Sequence, residues 1–319
     1  MSKRPATLDS FLGLQPVKKH RNEVKPVEES TSRRTSNHKT YPWPIPHLAS
    51  SVLDSLGFAP SDEGRSINDQ PDLDLVYYQP YIPKDIQRAL FEFLRSELFF
   101  YRVKYKIKRG PTETDINTPR FTTAFGLDDS ARFRHDNEIV DASTWEPVAN
   151  DAYKTCRPRP IPECLDTLRK LTEGTTGFQF NFALVNYYAS GSDSISYHSD
   201  DERFLGPEPA IASLTLGAQR DFLLRHKKTE SQRSSEGRPL KLPLSSGDMI
   251  LMKGRTQSCW EHSIPKRKGG EADKGRINIT FRRAMMKGGT ANYYRYNVGD
   301  GEVFRWNADR REMLPVVPS

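Results

Sequence analysis

From Phe178 to Arg282 the chain is written in short alternating runs closed by glycine, proline or serine. No other feature limits its fold so strongly. Phe178, Phe180, Phe182 and Leu184 alternate with Gln179, Asn181 and Ala183, and the even positions end in Asn186 and Tyr188. Ile211–Leu216, Asp221–Arg225, Leu240–Leu244 and Met249–Met252 continue the pattern, with a turn at Ser246-Gly247-Asp248. The last run, Arg276-Ile277-Asn278-Ile279-Thr280-Phe281-Arg282, is polar at even positions and apolar at odd ones. Successive side chains of a strand point to opposite faces, so each run has two chemically distinct sides. Many short strands at this spacing predict a sandwich or barrel. An exposed strand would alternate in the same way as 276–282. Two arginines on one strand face are also suited to holding a dicarboxylate through bidentate ion pairs.

Upstream the texture is mixed. Leu73 to Tyr78 reads as a strand. Pro83 opens a helix with Asp85 in its first turn, and Ile86, Leu90, Phe93 and Leu94 form an apolar stripe reaching about Phe99. Between Arg102 and Arg109, Val103, Tyr105 and Ile107 alternate with Lys104, Lys106 and Lys108. Such a strand is either an edge protected by lysines or a surface that lies along phosphates. A second helix is expected near Pro162–Thr172, and the polar stretch 226–239 as a hairpin loop. The fold class is therefore mainly β with flanking helices (α+β).

Hydrophobic residues make up 35% of the 319 and the mean hydropathy is −0.72, too little for a chain packed throughout. Residues 1–70, rich in Ser, Pro, Lys, Arg and Glu, are expected to be a disordered basic tail. The remainder divides into an N-terminal extension and lid over 71–175, a core over 176–285 and a C-terminal extension over 286–319. The net charge of +7 and pI near 9.2 suit a polyanionic partner, although a solvated basic surface has the same composition. Lys3-Arg4 and Lys18-Lys19-His20-Arg21 resemble a bipartite nuclear signal. Between them Leu8, Phe11 and Leu12 fall on one face of a helical turn, a pattern that could dock into a partner's groove. They resemble a degenerate sliding-clamp box lacking its leading Gln and paired aromatics. Cys156, Cys164 and Cys259 have no metal-knuckle spacing and argue for a reducing compartment. No apolar run approaches the roughly 18 residues of a membrane span, and no signal-peptide core is visible. A soluble nuclear monomer is expected.

The stretch Ile195-Ser-Tyr-His198-Ser-Asp200-Asp201-Glu202 carries the chemistry. In an extended segment His198 and Asp200 project to one side, which is how a two-His-one-carboxylate iron site begins. The second imidazole could come from His20, His38, His47, His135, His226 or His262. His262 is preferred because it follows an apolar strand and turn about a dozen residues before Arg276, where a double-stranded β-helix would bring it beside His198.

Together His198-x-Asp200, His262 and Arg276-x-Asn278-x-Thr280-Phe281-Arg282 resemble the AlkB family of Fe(II)/2-oxoglutarate dioxygenases. Ile211-Ala-Ser-Leu-Thr-Leu-Gly217 and Ala218-Gln-Arg-Asp-Phe222 are similar to its eukaryotic branch that repairs alkylated DNA. The resemblance runs from about Phe178 to Arg283, more weakly from about Leu75. It implies a jelly-roll core under a nucleotide-recognition lid, with His198, Asp200 and His262 as catalytic iron ligands. Asn186, Tyr188, Arg276, Asn278 and Arg282 would serve 2-oxoglutarate, and Glu202, Arg120 and Tyr105 the damaged base. The implied reaction uses O2 to demethylate 1-methyladenine and 3-methylcytosine in DNA, releasing formaldehyde and succinate. Lys108-Arg-Gly-Pro-Thr-Glu-Thr-Asp115 lacks the aromatic wedge of duplex-acting members, which leaves single strands and RNA open as substrates. A protein or metabolite hydroxylase would fit the metal triad but not the basic lid. A non-catalytic nucleic-acid or clamp-binding protein would leave the triad unused.

Overall fold

A computed structural model describes residues 34–57, 63–110, 112–149, 153, 157–227, 238–270, 274–290 and 301–316, with backbone alone for 104–109 and 115–117. Ahead of the predicted elements come β1 (Thr35–Ser36), β2 (Ile45–Pro46), α1 (Ser50–Leu56) and β3 (Arg65–Ile67). Then follow β4 (Leu75–Tyr78), α2 (Lys84–Glu97), β5 (Phe100–Tyr101), β6 (Lys104–Arg109), β7 (Thr112–Asn117) and β8 (Phe121–Gly126). Short strands β9 (Ala131–Phe133) and β10 (Ile139–Asp141) precede α3 (Glu163–Thr176), which stops at Gly177 with φ 74°. The alternating region supplies β11 (Phe182–Tyr188), β12 (Ile195–His198), β13 (Ile211–Gly217), β14 (Arg220–His226) and β15 (Leu240–Leu244). It continues as β16 (Met249–Met252), α4 (Thr256–Cys259), β17 (Trp260–Ile264) and β18 (Arg276–Arg282), and the chain closes with β19 (Val303–Asn307) and β20 (Glu312–Val316).

Among the described residues, ten strands form one antiparallel sheet in the order β20-β19-β5-β8-β11-β18-β13-β16-β4-β3, and four form a second, β12-β17-β14-β15. The jelly-roll expectation holds. At the centre of the large sheet the registers Asn186↔Asn278↔Thr215 and Leu184↔Thr280↔Ser213 align three polar-faced strands. The odd residues of β18, Ile277, Ile279 and Phe281, are fully buried in the hydrophobic core, which also takes Ile86, Leu90 and Leu94 of α2 and Leu165 and Leu168 of α3. The even residues face the small sheet. Both faces of β11 and β18 are therefore covered, so their alternation marks two kinds of interior rather than inside and outside.

The tail expectation needs correction. Residues 34–57 and 63–67 are ordered where disorder over 1–70 was expected from composition. Their apolar residues are few but fully used: Ile45, Leu48 and Leu56 are buried, and Tyr41 donates to Pro160 O. Trp43 packs edge-on against Phe99 and donates from Nε1 to Glu97 O at 3.0 Å. Mean composition hides a segment that docks through isolated aromatics onto another element's core. The basic clusters, Leu8, Phe11 and Leu12, Cys156, and the centre of the polar insertion lie outside the described residues. Either side of that insertion, β14 and β15 pair antiparallel.

The C-terminal segment packs back on the core. β19 pairs with β5, Phe304 meets Phe121 at 5.1 Å, and Arg95 lies 3.9 Å over the Trp306 ring. Removing residues 301–319 would expose the β5 edge and those rings. We expect truncation to lower the urea midpoint and promote aggregation. Phe304→Ala alone should cost about 1–2 kcal/mol in a urea melt, because the ring is half-buried.

Candidate active site

The small sheet brings the two histidines together, since β12 and β17 pair with His198 directly opposite His262. The rings lie 4.3 Å apart between centroids. Asp200 stands just beyond β12, with Oδ1 3.7 Å from His198 Nε2 and Oδ2 3.7 Å from His262 Nε2. His198 Nδ1 is 2.9 Å from Ser196 O; a carbonyl only accepts, so Nδ1 carries a hydrogen, and in the neutral ring Nε2 presents its lone pair. Burial pushes the His262 imidazole down to about 3, against the opposing pull of Asp200, so it is neutral at ordinary pH. Burial also pushes Asp200 up, but the Arg282 guanidinium is the main opposing cause and the carboxyl is held below its usual range. The ligand-type atoms of His198, Asp200 and His262 lie within 4.8 Å of one another. Two imidazole nitrogens and a carboxylate at such spacing fit a divalent transition metal with positions to spare.

A cavity of about 150 Å³ opens between the two sheets over this triad. Its large-sheet wall includes Asn186 and Tyr188 of β11 and Arg276, Asn278, Thr280 and Arg282 of β18. Arg276 is 1% exposed, and its Nη2 donates to Thr215 Oγ1 at 2.9 Å. Its Nε and Nη1 are buried with no hydrogen-bond partner, and burial pushes the guanidinium down to about 10. An unsatisfied buried guanidinium is costly, and an anionic carboxylate such as that of 2-oxoglutarate fits it. Asn186 Oδ1 accepts from Arg120 Nε at 3.0 Å and Thr122 Oγ1 at 3.1 Å, so the group it offers a ligand is the amide N–H2. Asn278, also on the cavity wall, donates its amide N–H2 to Ser213 Oγ and Leu214 O, which ties the strand face.

Arg282 sits between two acids. Its Nη2 pairs with Asp200 Oδ1 at 2.9 Å and its Nη1 lies 3.5 Å from Glu202 Oε1. Glu202 lines the cavity; burial pushes its carboxyl up, Arg282 only partly offsetting this. Arg120 also lines the cavity. Tyr105 lies on the β6–β7 hairpin opposite Ile116 in backbone register, and its side chain is outside the described set.

Sequence reasoning missed three supports. Buried Gln257, on α4, accepts at Oε1 from the Asp200 backbone N–H at 2.9 Å, fixing the turn that follows β12. Nothing in the pattern around Thr256–Cys259 marks it. Ser213 and Thr215 were legible, as the small polar alternates of Ile211–Gly217, but their bonds to Asn278 and Arg276 follow only from strand order.

Residues 74–282 match the family described as the 2OG-Fe(II) oxygenase superfamily. The human protein named DNA oxidative demethylase ALKBH2 is 41% identical over 133 residues, 41% of this chain and 50% of that protein. Its namesake in Arabidopsis thaliana is 39% identical over 228 residues, 66% of this chain and 67% of that protein. The rat alpha-ketoglutarate-dependent dioxygenase alkB homolog 3 is 39% identical over 145 residues, 44% of this chain and 48% of that protein. The chain thus spans about half the length of these mammalian relatives. The family match covers the triad, the arginine-bearing strand, the small sheet and the central strands of the large one, and the plant relative extends the likeness across two thirds of its own length. This chain belongs to the 2OG-Fe(II) oxygenase superfamily, as an AlkB-family dioxygenase of the eukaryotic branch.

Proposed function

We propose that this chain is an oxidative demethylase of N-alkylated bases in DNA, 1-methyladenine and 3-methylcytosine among them, using Fe(II), O2 and 2-oxoglutarate. The observation that carries the reading is one cavity holding a His-Asp-His donor set, a buried arginine with open donors and an acidic rim residue, in a chain resembling proteins named DNA oxidative demethylases. His198, Asp200 and His262 would hold the iron. When bound, iron and 2-oxoglutarate supply the oxidising power that releases the N-methyl group as formaldehyde, the cosubstrate becoming succinate. Arg276 pairs with the distal carboxylate of 2-oxoglutarate, while Asn186 and Tyr188 orient it. Arg282 keeps the Asp200 carboxylate ionised and aligned. Leu184, Phe222, Met252 and Ile264 keep the cavity poor in water. Glu202, once ionised, favours a base carrying positive charge, and such bases pair poorly and cost less to extrude.

The hairpin of β6 and β7, with Arg120 in the bend that follows it, forms the nucleotide-recognition lid over the 176–285 core. Its tip sequence, Arg109-Gly-Pro-Thr112, contains no aromatic to occupy the gap left by an extruded base. That observation favours single strands, and it keeps RNA as the second reading. The segment before residue 34 would carry the nuclear signal and, through Leu8, Phe11 and Leu12, the sliding-clamp contact. A reporter fused to residues 1–30 should then accumulate in nuclei.

Full-length protein given Fe(II) and 2-oxoglutarate should release formaldehyde from a single-stranded DNA oligomer bearing one 1-methyladenine. His198→Ala should abolish release. Silence on DNA with turnover of the same sequence as RNA would replace the first reading by the second. Arg276→Gln should raise the KM for 2-oxoglutarate roughly 10–100-fold, as expected for a lost charge-assisted pair. Glu202→Gln should lower kcat/KM for 3-methylcytosine about 10-fold near neutral pH. Because the Glu202 carboxyl is pushed up, native-enzyme activity should rise with pH through a limb above the ordinary glutamate range of about 4.3. The variant's profile should lose that limb; an unchanged profile would remove Glu202 from substrate recognition.

A further inference from the structure

A second donor set lies on the same small sheet. His226, at the end of β14, pairs in register with Trp260, two residues before His262 on β17. His226, Asp72 and Cys259 each bring a ligand-type atom, and these three atoms lie within 4.8 Å of one another. Asp72 belongs to the turn before β4, and Cys259 ends α4.

The imidazole is the informative member. His226 is only 6% exposed, and its Nδ1 is 2.9 Å from Lys227 O. The carbonyl can only accept, so Nδ1 carries a hydrogen, and in the neutral ring Nε2 presents a lone pair. That Nε2 is buried without a hydrogen-bond partner, and Asp72 Oδ2 lies 3.5 Å from it. In the neutral ring that lone pair faces a carboxylate oxygen, a contact that is unfavourable in a buried setting and that a cation between the two atoms relieves. The other oxygen, Asp72 Oδ1, is fixed by Arg255 Nη1 at 2.6 Å, so the carboxylate is oriented with Oδ2 towards the imidazole. Backbone carbonyls bonded to the far nitrogen and an external donor on the ligating carboxylate are the usual supports of a metal-binding His and Asp.

We infer that Asp72, His226 and Cys259 form a second metal site, distinct from the His198–Asp200–His262 triad, taking Zn2+ or a cation of similar softness. One oxygen, one nitrogen and one sulfur suit that class of ion better than a hard cation. In a tetrahedral zinc site the nitrogen and oxygen ligand atoms stand about 3.3 Å apart, close to the 3.5 Å between Nε2 and Oδ2. Binding forms a sulfur–metal bond and breaks the Cys259 S–H bond, the proton leaving to solvent with no change of oxidation state. The Asp72 carboxylate and the Cys259 thiolate then balance the dication, and a water can complete the tetrahedron. Cys259 and Asp72 are half-exposed, so an ion can reach the cluster from solvent. The site would pin α4, and α4 carries the Gln257 amide that holds the Asp200 backbone. This inference does not depend on the demethylase reading.

The test uses full-length protein stripped with chelator and titrated with Co2+ or Zn2+. Two equivalents should bind, one of them producing thiolate-to-cobalt charge-transfer absorption in the near ultraviolet. Cys259→Ser should lose that band and one equivalent. His198→Ala should lose the other equivalent and keep the band. His226→Gln, its fold checked by circular dichroism, should weaken the thiolate-bearing equivalent about 100-fold. No thiolate band, or a band that persists in Cys259→Ser, overturns the inference. So does unchanged affinity in folded His226→Gln, and the His226–Asp72 contact is then an ordinary ion pair.

Discussion

The ion pair between Arg282 and Asp200 is the contact on which the cavity depends. Both are buried, at 2% and 4% exposure, and neither charge would be tolerated there alone. Paired at 2.9 Å, the guanidinium keeps the carboxylate ionised despite burial, and an ionised Asp200 is what a divalent metal requires. The same guanidinium reaches towards Glu202, so the acid at the metal and the acid at the rim share one cation. Moving a proton onto or off Glu202 therefore changes the field at Asp200. A metal taking up Asp200 would in turn leave more of Arg282 for other anions.

Placing such charges inside a sheet requires a covered face that is polar by design. The large sheet provides it by register: Asn278 has Asn186 on one side and Thr215 on the other, while Arg276 faces Tyr188 and Gly217. A slip of one residue anywhere among β11, β18 and β13 would turn Arg276 and Arg282 into the hydrophobic core and Ile277 and Ile279 into the cavity. The cost of that error makes the register unambiguous. It also means that folding and site assembly are one event, because pairing the strands correctly is what aligns the arginines.

This is why so much was legible in the sequence. Strand alternation in 276–282 names both faces, and His198-x-Asp200 stands out because an imidazole and a carboxylate sit at the spacing that puts both on one side of an extended segment. What the sequence hid is contact between distant segments. Gln257 reaches Asp200 across 57 residues, and no local period announces that a buried amide will hold a backbone N–H. Residues 34–57 hid their order for a related reason. Their few aromatics bury themselves on α2 and the strands beyond it, and an average over composition cannot see a partner. His226, first grouped with a polar insertion, is the last residue of β14 and buried, since strand ends next to polar loops carry no periodic mark.

The β6–β7 hairpin shows how strand pairing alters a charge argument made from one strand. Lys104, Lys106 and Lys108 on β6 suggest a cationic track for phosphates. Pairing with β7 sets Asp115 opposite Lys106 and Glu113 opposite Lys108 in backbone register, leaving Lys104 opposite the uncharged Asn117. Residues sharing a register position belong to the same face of a hairpin, so the backbone register sets an acidic position against two of the three lysine positions. Phosphate attraction from such a hairpin is modest and readily screened by salt. If the chain acts as proposed, discrimination would arise where water is excluded, at Glu202 and the cavity it lines. A hairpin that binds weakly and a cavity that selects strongly would suit an enzyme that samples many undamaged bases and holds few.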